Sequence, residues 1–151
     1  MARYDSITSD GPPVAIKRIL VADDNDLVRD TVCALLAADG QTDVRSASDG
    51  WGVATAIEEN GGFEFILLDY NMPGLASLES VERILAQNRG WPVGLFSGNV
   101  PFEVIEAAID LGLSGYVPKT LEPKLIIKAV RQMADGHKFP ALHFLTRYFD
   151  G

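Results

Sequence analysis

The stretch FEFILLDYNMPG, residues 63–74, carries the first decision about the fold. Phe65, Ile66, Leu67 and Leu68 form a short unbroken apolar run, which is what a strand buried on both faces presents. The run ends at Asp69, and Asn71, Met72, Pro73 and Gly74 then break the chain. A carboxylate driven to the end of a buried strand has three readings: helix cap, metal ligand or reacting group.

Outward from this stretch the same alternation repeats. IKRILVAD (16–23) reads as an apolar strand ending in acids. DLVRDTVCALLAADG (26–40) places Leu27, Val28, Val32, Leu35 and Leu36 at helical spacing and stops at Gly40. TDVRSAS (42–48) is a short strand, and DGWGVATAIEENGG (49–62) a helix closed by its glycine pair. SLESVERILAQN (77–88) is an amphipathic helix with Ser77 as its cap and a stripe of Leu78, Val81, Ile84 and Leu85. WPVGLFS (91–97) is a fourth strand, and PFEVIEAAIDLG (101–112) a helix that Pro101 opens at its first turn. SGYVPK (114–119) is a fifth strand, and EPKLIIKAVRQMADG (122–136) the last helix. Strands alternating with helices of this length give βαβ units, a parallel sheet and helices on both faces: an α/β three-layer sandwich.

A chain of 151 residues fits one domain, and 47% hydrophobic with 23% charged residues excludes bulk disorder. A net charge of −8 offers no electrostatic footprint for nucleic acid or an anionic membrane. Cys33 is the single cysteine, so no internal disulfide forms; its apolar neighbours suggest a buried thiol in a reducing compartment. The N-terminus lacks the apolar core of a signal peptide, and no run approaches the roughly 18 apolar residues of a membrane span. The expected location is the cytoplasm. The expected organisation is a flexible segment 1–15, a domain over 16–136, and a linker or short helix over 137–151, rich in Phe139, Leu142, Phe144, Leu145, Tyr148 and Phe149.

In an open parallel sheet the functional crevice lies beyond the carboxyl ends of the strands. The first strand ends in Asp23 and Asp24, the third in Asp69, the fourth in Ser97 followed by Gly98, and the fifth in Lys119. Each alone has an ordinary reading. Asp24 or Asp26 would cap the first helix, Asp69 would make a turn, Ser97 would bond nearby backbone, and Lys119 would be a solvated charge. All of them at one edge point to chemistry. Three carboxylates repel one another without a cation, and an all-oxygen cluster suits a hard ion such as Mg²⁺. A lysine and a hydroxyl beside it supply a point charge and a donor for phosphoryl oxygens, and one carboxylate can act as nucleophile.

Together LVADDND, ILLDYNMPG, LFSGN and GYVPKT, in this order and over about residues 16–136, resemble the receiver domain of response regulators, the phosphoacceptor half of bacterial two-component signalling. The resemblance implies a flavodoxin-like (βα)5 fold with a five-stranded parallel sheet of order 2-1-3-4-5. It implies that Asp69 is the phosphoacceptor and that Mg²⁺ (or Mn²⁺) is held by Asp24 directly, by Asp23 directly or through water, by Asp69, and by the backbone carbonyl of Asn71. Lys119 and Ser97 would contact the phosphoryl group, Gly98 would leave room for the donor, and Ser97 with Tyr116 would form the conformational switch. The implied partner is a sensor histidine kinase or phosphotransfer protein, with a homodimer as a further option, through the face of helices four and five or that of helices one and five. No direct binding of nucleic acid or membrane by this chain is expected. Its own chemistry would be limited to Mg²⁺-dependent autophosphorylation and autodephosphorylation, short of a metabolic enzyme.

GYVPKTLEPKLIIKAVRQMADGHKF is similar to the NarL/FixJ subfamily, whose receiver is followed by a linker and a helix-turn-helix domain controlling transcription. The sequence stops soon after that linker, which leaves either a shortened chain or a protein that works without the output domain. Thr120 follows the lysine where many receivers carry proline, and Ala76 and Ser77 stand where a small polar residue and glycine are usual. Three alternatives share part of the pattern. A receiver-like adaptor would keep the fold without phosphoryl turnover. A haloacid-dehalogenase-like, Mg²⁺-dependent aspartyl-phosphate phosphatase would want a second acid where Asn71 stands. A flavin carrier would want hydroxyls and glycines where DDNDLV brings acids.

Overall fold

The computed structural model describes residues 17–41, 43–75 and 77–139. The expected segment 1–15, Ala76 and the chain beyond Phe139 lie outside the described residues. Strands and helices alternate: β1 (Ile19–Ala22), α1 (Asp26–Ala38), β2 (Val44–Ala47), α2 (Gly50–Asn60), β3 (Phe65–Leu68), α3 (Leu78–Gln87), β4 (Val93–Ser97), α4 (Phe102–Leu111), β5 (Gly115–Pro118) and α5 (Pro123–Ala134). The five strands form one sheet in the order β2-β1-β3-β4-β5, with every pairing parallel. This is the order that the resemblance implies. Its reversal point lies between β1 and β3.

β1 and β3 are buried at every position, so neither shows the alternation of a half-exposed strand. Leu20, Ala22, Ile66 and Leu68 face the layer built by α2, α3 and α4, while Ile19, Val21, Phe65 and Leu67 face α1 and α5. Each fully buried leucine or isoleucine contributes about 2 kcal/mol of apolar burial. Gly94 of β4 lets α5 press onto the strand, because a Cβ there would lie 2.7 Å from Met133 Sδ.

The helix starts test the expected caps. α1 is capped by Asn25, whose side chain accepts from Val28 N, so neither Asp24 nor Asp26 is used for that purpose. Ser77 caps α3 by accepting from Ser80 N at 3.1 Å. Pro101 stands one position before the first turn of α4, where its fixed φ leads the chain in without a side-chain cap. β1 begins later than IKRILVAD suggests. The N–H groups of Lys17 and Arg18 are taken by the side chains of Gln41 and Glu64 rather than by a neighbouring strand. Cys33 is half-buried rather than fully buried, and burial still raises its thiol pKa. No helix among the described residues is long and apolar enough to cross a membrane.

Beyond α5 the chain turns at Gly136 and lays Phe139 beside the outer edge of β5. Tyr116 N donates to Phe139 O at 2.9 Å and Phe139 N donates to Ser114 O at 3.0 Å.

Candidate functional site

The sheet's hydrogen bonding runs one residue past the strand ends. Asp23 N donates to Ala47 O at 3.1 Å and Asp69 N to Ala22 O at 2.9 Å, so backbone pairing rather than loop structure fixes these two acids. The two-residue alternation of each strand runs on as well. Ile19, Val21 and Asp23 share one parity, as do Phe65, Leu67 and Asp69, and Val117 and Lys119; the apolar members all belong to the α1/α5 face. Asp23, Asp69 and Lys119 therefore converge. Tyr116, by contrast, packs into the α2/α3/α4 layer. Ser97 has the parity of Leu95, which belongs to that layer too.

Asp23 is fully buried, Asp69 is 3% exposed, and Asp24 is open to solvent. One carboxylate oxygen from each lies within 4.8 Å of the others. Lys119 Nζ lies 2.7 Å from Asp23 Oδ2 and 3.2 Å from Asp69 Oδ2. It also stands 5.4 Å from the ring centroid of Phe96, which gives the ammonium a weakly attractive apolar wall. The remaining oxygens are held by backbone amides two residues on: Asn25 N donates to Asp23 Oδ1 at 2.9 Å, and Asn71 N to Asp69 Oδ1 at 3.0 Å.

Around this centre lies a polar rim. The Asn71 side-chain amide donates to Ser97 Oγ at 3.2 Å and to Asn99 O at 3.4 Å, so it is turned toward β4. Tyr116 is 2% exposed, and its hydroxyl donates to Ser97 O at 2.7 Å. The hydroxyl is therefore inside the protein rather than at the surface. Gly98 is exposed, and a Cβ built there would meet nothing within 4 Å.

Burial pushes the Asp69 pKa up and the neighbouring Asp23 charge adds to this, while the Asn71 N–H and Lys119 oppose it. Burial would pull Lys119 down, but contact with Asp23 and the charge of Asp69 outweigh it and its pKa rises. With all groups ionised, three negative charges and one positive leave two negative charges uncompensated. Asp23 Oδ2 is a buried carboxylate oxygen that faces the lysine outside hydrogen-bond geometry and has no other partner among the described residues. A cluster of hard oxygen donors with excess negative charge fits a hard divalent cation such as Mg²⁺.

The structure thus groups Asp23, Asp24, Asp69 and Lys119, with Asn71 and Ser97 joined beside them, Tyr116 bonded behind Ser97 and Gly98 on the open side. Sequence reasoning missed Asn99 and the Asn71–Ser97 bond, which depend on how two loops meet. It also missed Phe96 as the wall beside Lys119, although strand parity could have found it.

A parallel sheet reversed between β1 and β3, with its polar residues gathered beyond that point, defines a doubly wound α/β domain whose candidate site lies at its carboxyl edge. The family model for the response regulator receiver domain matches residues 19–131, and the chain belongs to that family. It is 34% identical over 120 residues to the nitrate/nitrite response regulator protein NarL of Escherichia coli (strain K12), covering 78% of this chain and 55% of NarL. It is 25% identical over 122 residues to the transcriptional activator protein ExaE of Pseudomonas putida, covering 80% of this chain and 56% of ExaE. The chain spans about half the length of the curated relatives it matches. Among solved structures, a LuxR family DNA-binding response regulator from Silicibacter pomeroyi aligns with TM-score 0.67 and 25% identity, over 80% of this chain and 92% of that one. A LuxR family two-component response regulator from Aurantimonas sp. SI85-9A1 has the same fold, with TM-score 0.75 at 19% identity over 91% of this chain and 100% of that one.

Proposed function

We propose that this chain is a phosphoacceptor switch in which Asp69 receives a phosphoryl group from a histidine kinase or phosphotransfer protein. The observation that carries the reading is the Asp69 carboxylate itself. It is buried, oriented by Asn71 N–H and Lys119, and grouped with two further acids at the reversal point of the sheet. Asp23, Asp24 and Asp69, with the Asn71 backbone carbonyl, would hold Mg²⁺ or Mn²⁺. Bound there, the cation supplies charge neutralisation for the acids and the incoming phosphoryl oxygens.

An Asp69 carboxylate oxygen attacks phosphorus, a new P–O bond forms, and the P–N bond of a phosphohistidine donor breaks with the electron pair leaving on the imidazole nitrogen. Lys119 pairs with the phosphoryl oxygens and Ser97 donates its hydroxyl to them. Gly98 leaves the approach of the donor open. Attack of water on the acyl phosphate returns Asp69 and inorganic phosphate, so the chain's own chemistry is limited to gaining and losing the phosphoryl group. Drawing Ser97 toward the phosphoryl group alters the strand end to which Tyr116 is bonded, and so biases the α4–β5 surface between two states. That surface would control transcription or partner binding through a homodimer or an output domain. The compartment would be the cytoplasm, and residues 16–136 would be the functional unit.

The test is incubation with acetyl phosphate and Mg²⁺, followed by intact-mass measurement. The wild-type chain should gain one phosphoryl mass, and Asp69→Asn should gain none. Folded protein that takes up no phosphoryl group with Mg²⁺ present would instead be a receiver-like adaptor.

A further inference from the structure

The loop carrying Asn71 is anchored at its far end by α2, a helix with no acid in the cluster. Gly50 N, one of the donors left over at a helix start, donates to Pro73 O at 2.8 Å. A Cβ on Gly50 would fall 2.2 Å from Gly74 O, so this approach requires glycine. Gly74 has φ +81°, and a Cβ on it would lie 2.9 Å from two atoms of the Trp51 indole. The ring therefore covers the loop at the position where no side chain fits. Trp51 itself is 66% exposed, an unusual place for a tryptophan that serves only the core. Asn71 N is tied to Asp69, and Met72 and Leu75, on either side of Pro73–Gly74, are buried in the α2/α3/α4 layer. Along the chain, the Asn71 carbonyl stands between the tied Asn71 N–H and Pro73, where the contact with α2 begins.

We propose that Trp51, together with Gly50, is a positioning residue for the metal site: it clamps Pro73–Gly74 onto the first turn of α2 and so fixes the loop that presents the Asn71 carbonyl. This rests on the reading that Mg²⁺ binds at Asp23, Asp24 and Asp69. Trp51 is not among the residues that would hold the metal. It acts through the loop, as outer groups that orient a ligand do.

The experiment measures Mg²⁺ affinity by calorimetry on the full chain, comparing wild type with Trp51→Ala and Trp51→Phe, alongside thermal melts without metal. Trp51→Ala should weaken Mg²⁺ binding about tenfold with an unchanged melting temperature, and Trp51→Phe should restore most of the affinity. A Trp51→Ala chain that binds Mg²⁺ as the wild type does would overturn the proposal. So would a lower melting temperature that accounts for the whole loss. If the wild type binds no Mg²⁺, the metal reading fails and this proposal with it. Amide exchange in the metal-free chain judges the clamp separately: faster exchange at Gly50 and Leu75 in Trp51→Ala supports it, and unchanged exchange removes it.

Discussion

Two of the clusters of opposite charge among the described residues are finished differently. At the α1–α5 seam, Arg131 reaches Asp39 with one edge of its guanidinium: Nε donates to Oδ2 at 2.9 Å and a terminal nitrogen donates to Oδ1. One positive charge meets one negative charge, both acid oxygens are bonded, and the planar fork fixes the geometry. At the carboxyl edge, Lys119 is shared between Asp23 and Asp69 while Asp24 stands close by. A lysine ammonium is a point charge with rotatable donors, suited to exchanging partners. The first cluster is closed and needs nothing more. The second is left open by two negative charges, which is the deficit a divalent cation would fill.

The largest effect that separates the two should come from the lysine. Lys119→Met leaves two buried carboxylates without their cation and should cost about 2 kcal/mol in metal-free denaturation at neutral pH, most of it recovered with Mg²⁺. Asp39→Asn should cost less, about 1 kcal/mol, because its partner is partly exposed, and should leave Mg²⁺ affinity unchanged. A loss at Asp39 equal to that at Lys119, or a change in Mg²⁺ binding on removing Asp39, would erase the distinction.

The smallest effect has the opposite sign. The folded pKa of Asp69 lies above its ordinary 3.8. As pH rises past that value the unfolded chain loses this proton first, so the fold is penalised increasingly until the folded carboxyl also ionises. The penalty is absent at lower pH and constant above the folded pKa. Asp69→Asn should therefore melt higher than wild type at neutral pH without metal, and this advantage should vanish below about pH 3.8. Mg²⁺ should stabilise the wild type more than the variant, narrowing or reversing the gap.

The contrast between these clusters was partly legible in the sequence. Buried strands such as Phe65–Leu68 declare themselves by an unbroken apolar run, and a polar residue at the end of each falls at one edge once the strands are parallel. Asp23, Asp24, Asp69, Ser97 and Lys119 were all found in that way. The sequence reading of Asp24 or Asp26 as the cap of the first helix passed over Asn25 between them, whose side chain accepts from Val28 N. That Asp23 rather than Asp24 would be buried against the lysine follows from strand parity, a signal present but unused. The clamp of Gly50 and Trp51 on Pro73 and Gly74 was not legible, because it depends on how a helix and a distant loop meet in space. The Arg131–Asp39 pair was hidden for the same reason, being 92 residues apart in the chain.

The central claim is that Asp69 becomes the acyl phosphate, and chemical trapping tests it at a single residue. Borohydride reduces an aspartyl phosphate to homoserine and leaves free carboxylates untouched. After treatment with acetyl phosphate and Mg²⁺, peptide mass mapping should place homoserine at position 69 alone, and omission of Mg²⁺ should suppress it. Homoserine at position 23 or 24, or none in folded protein that has bound Mg²⁺, would contradict the account.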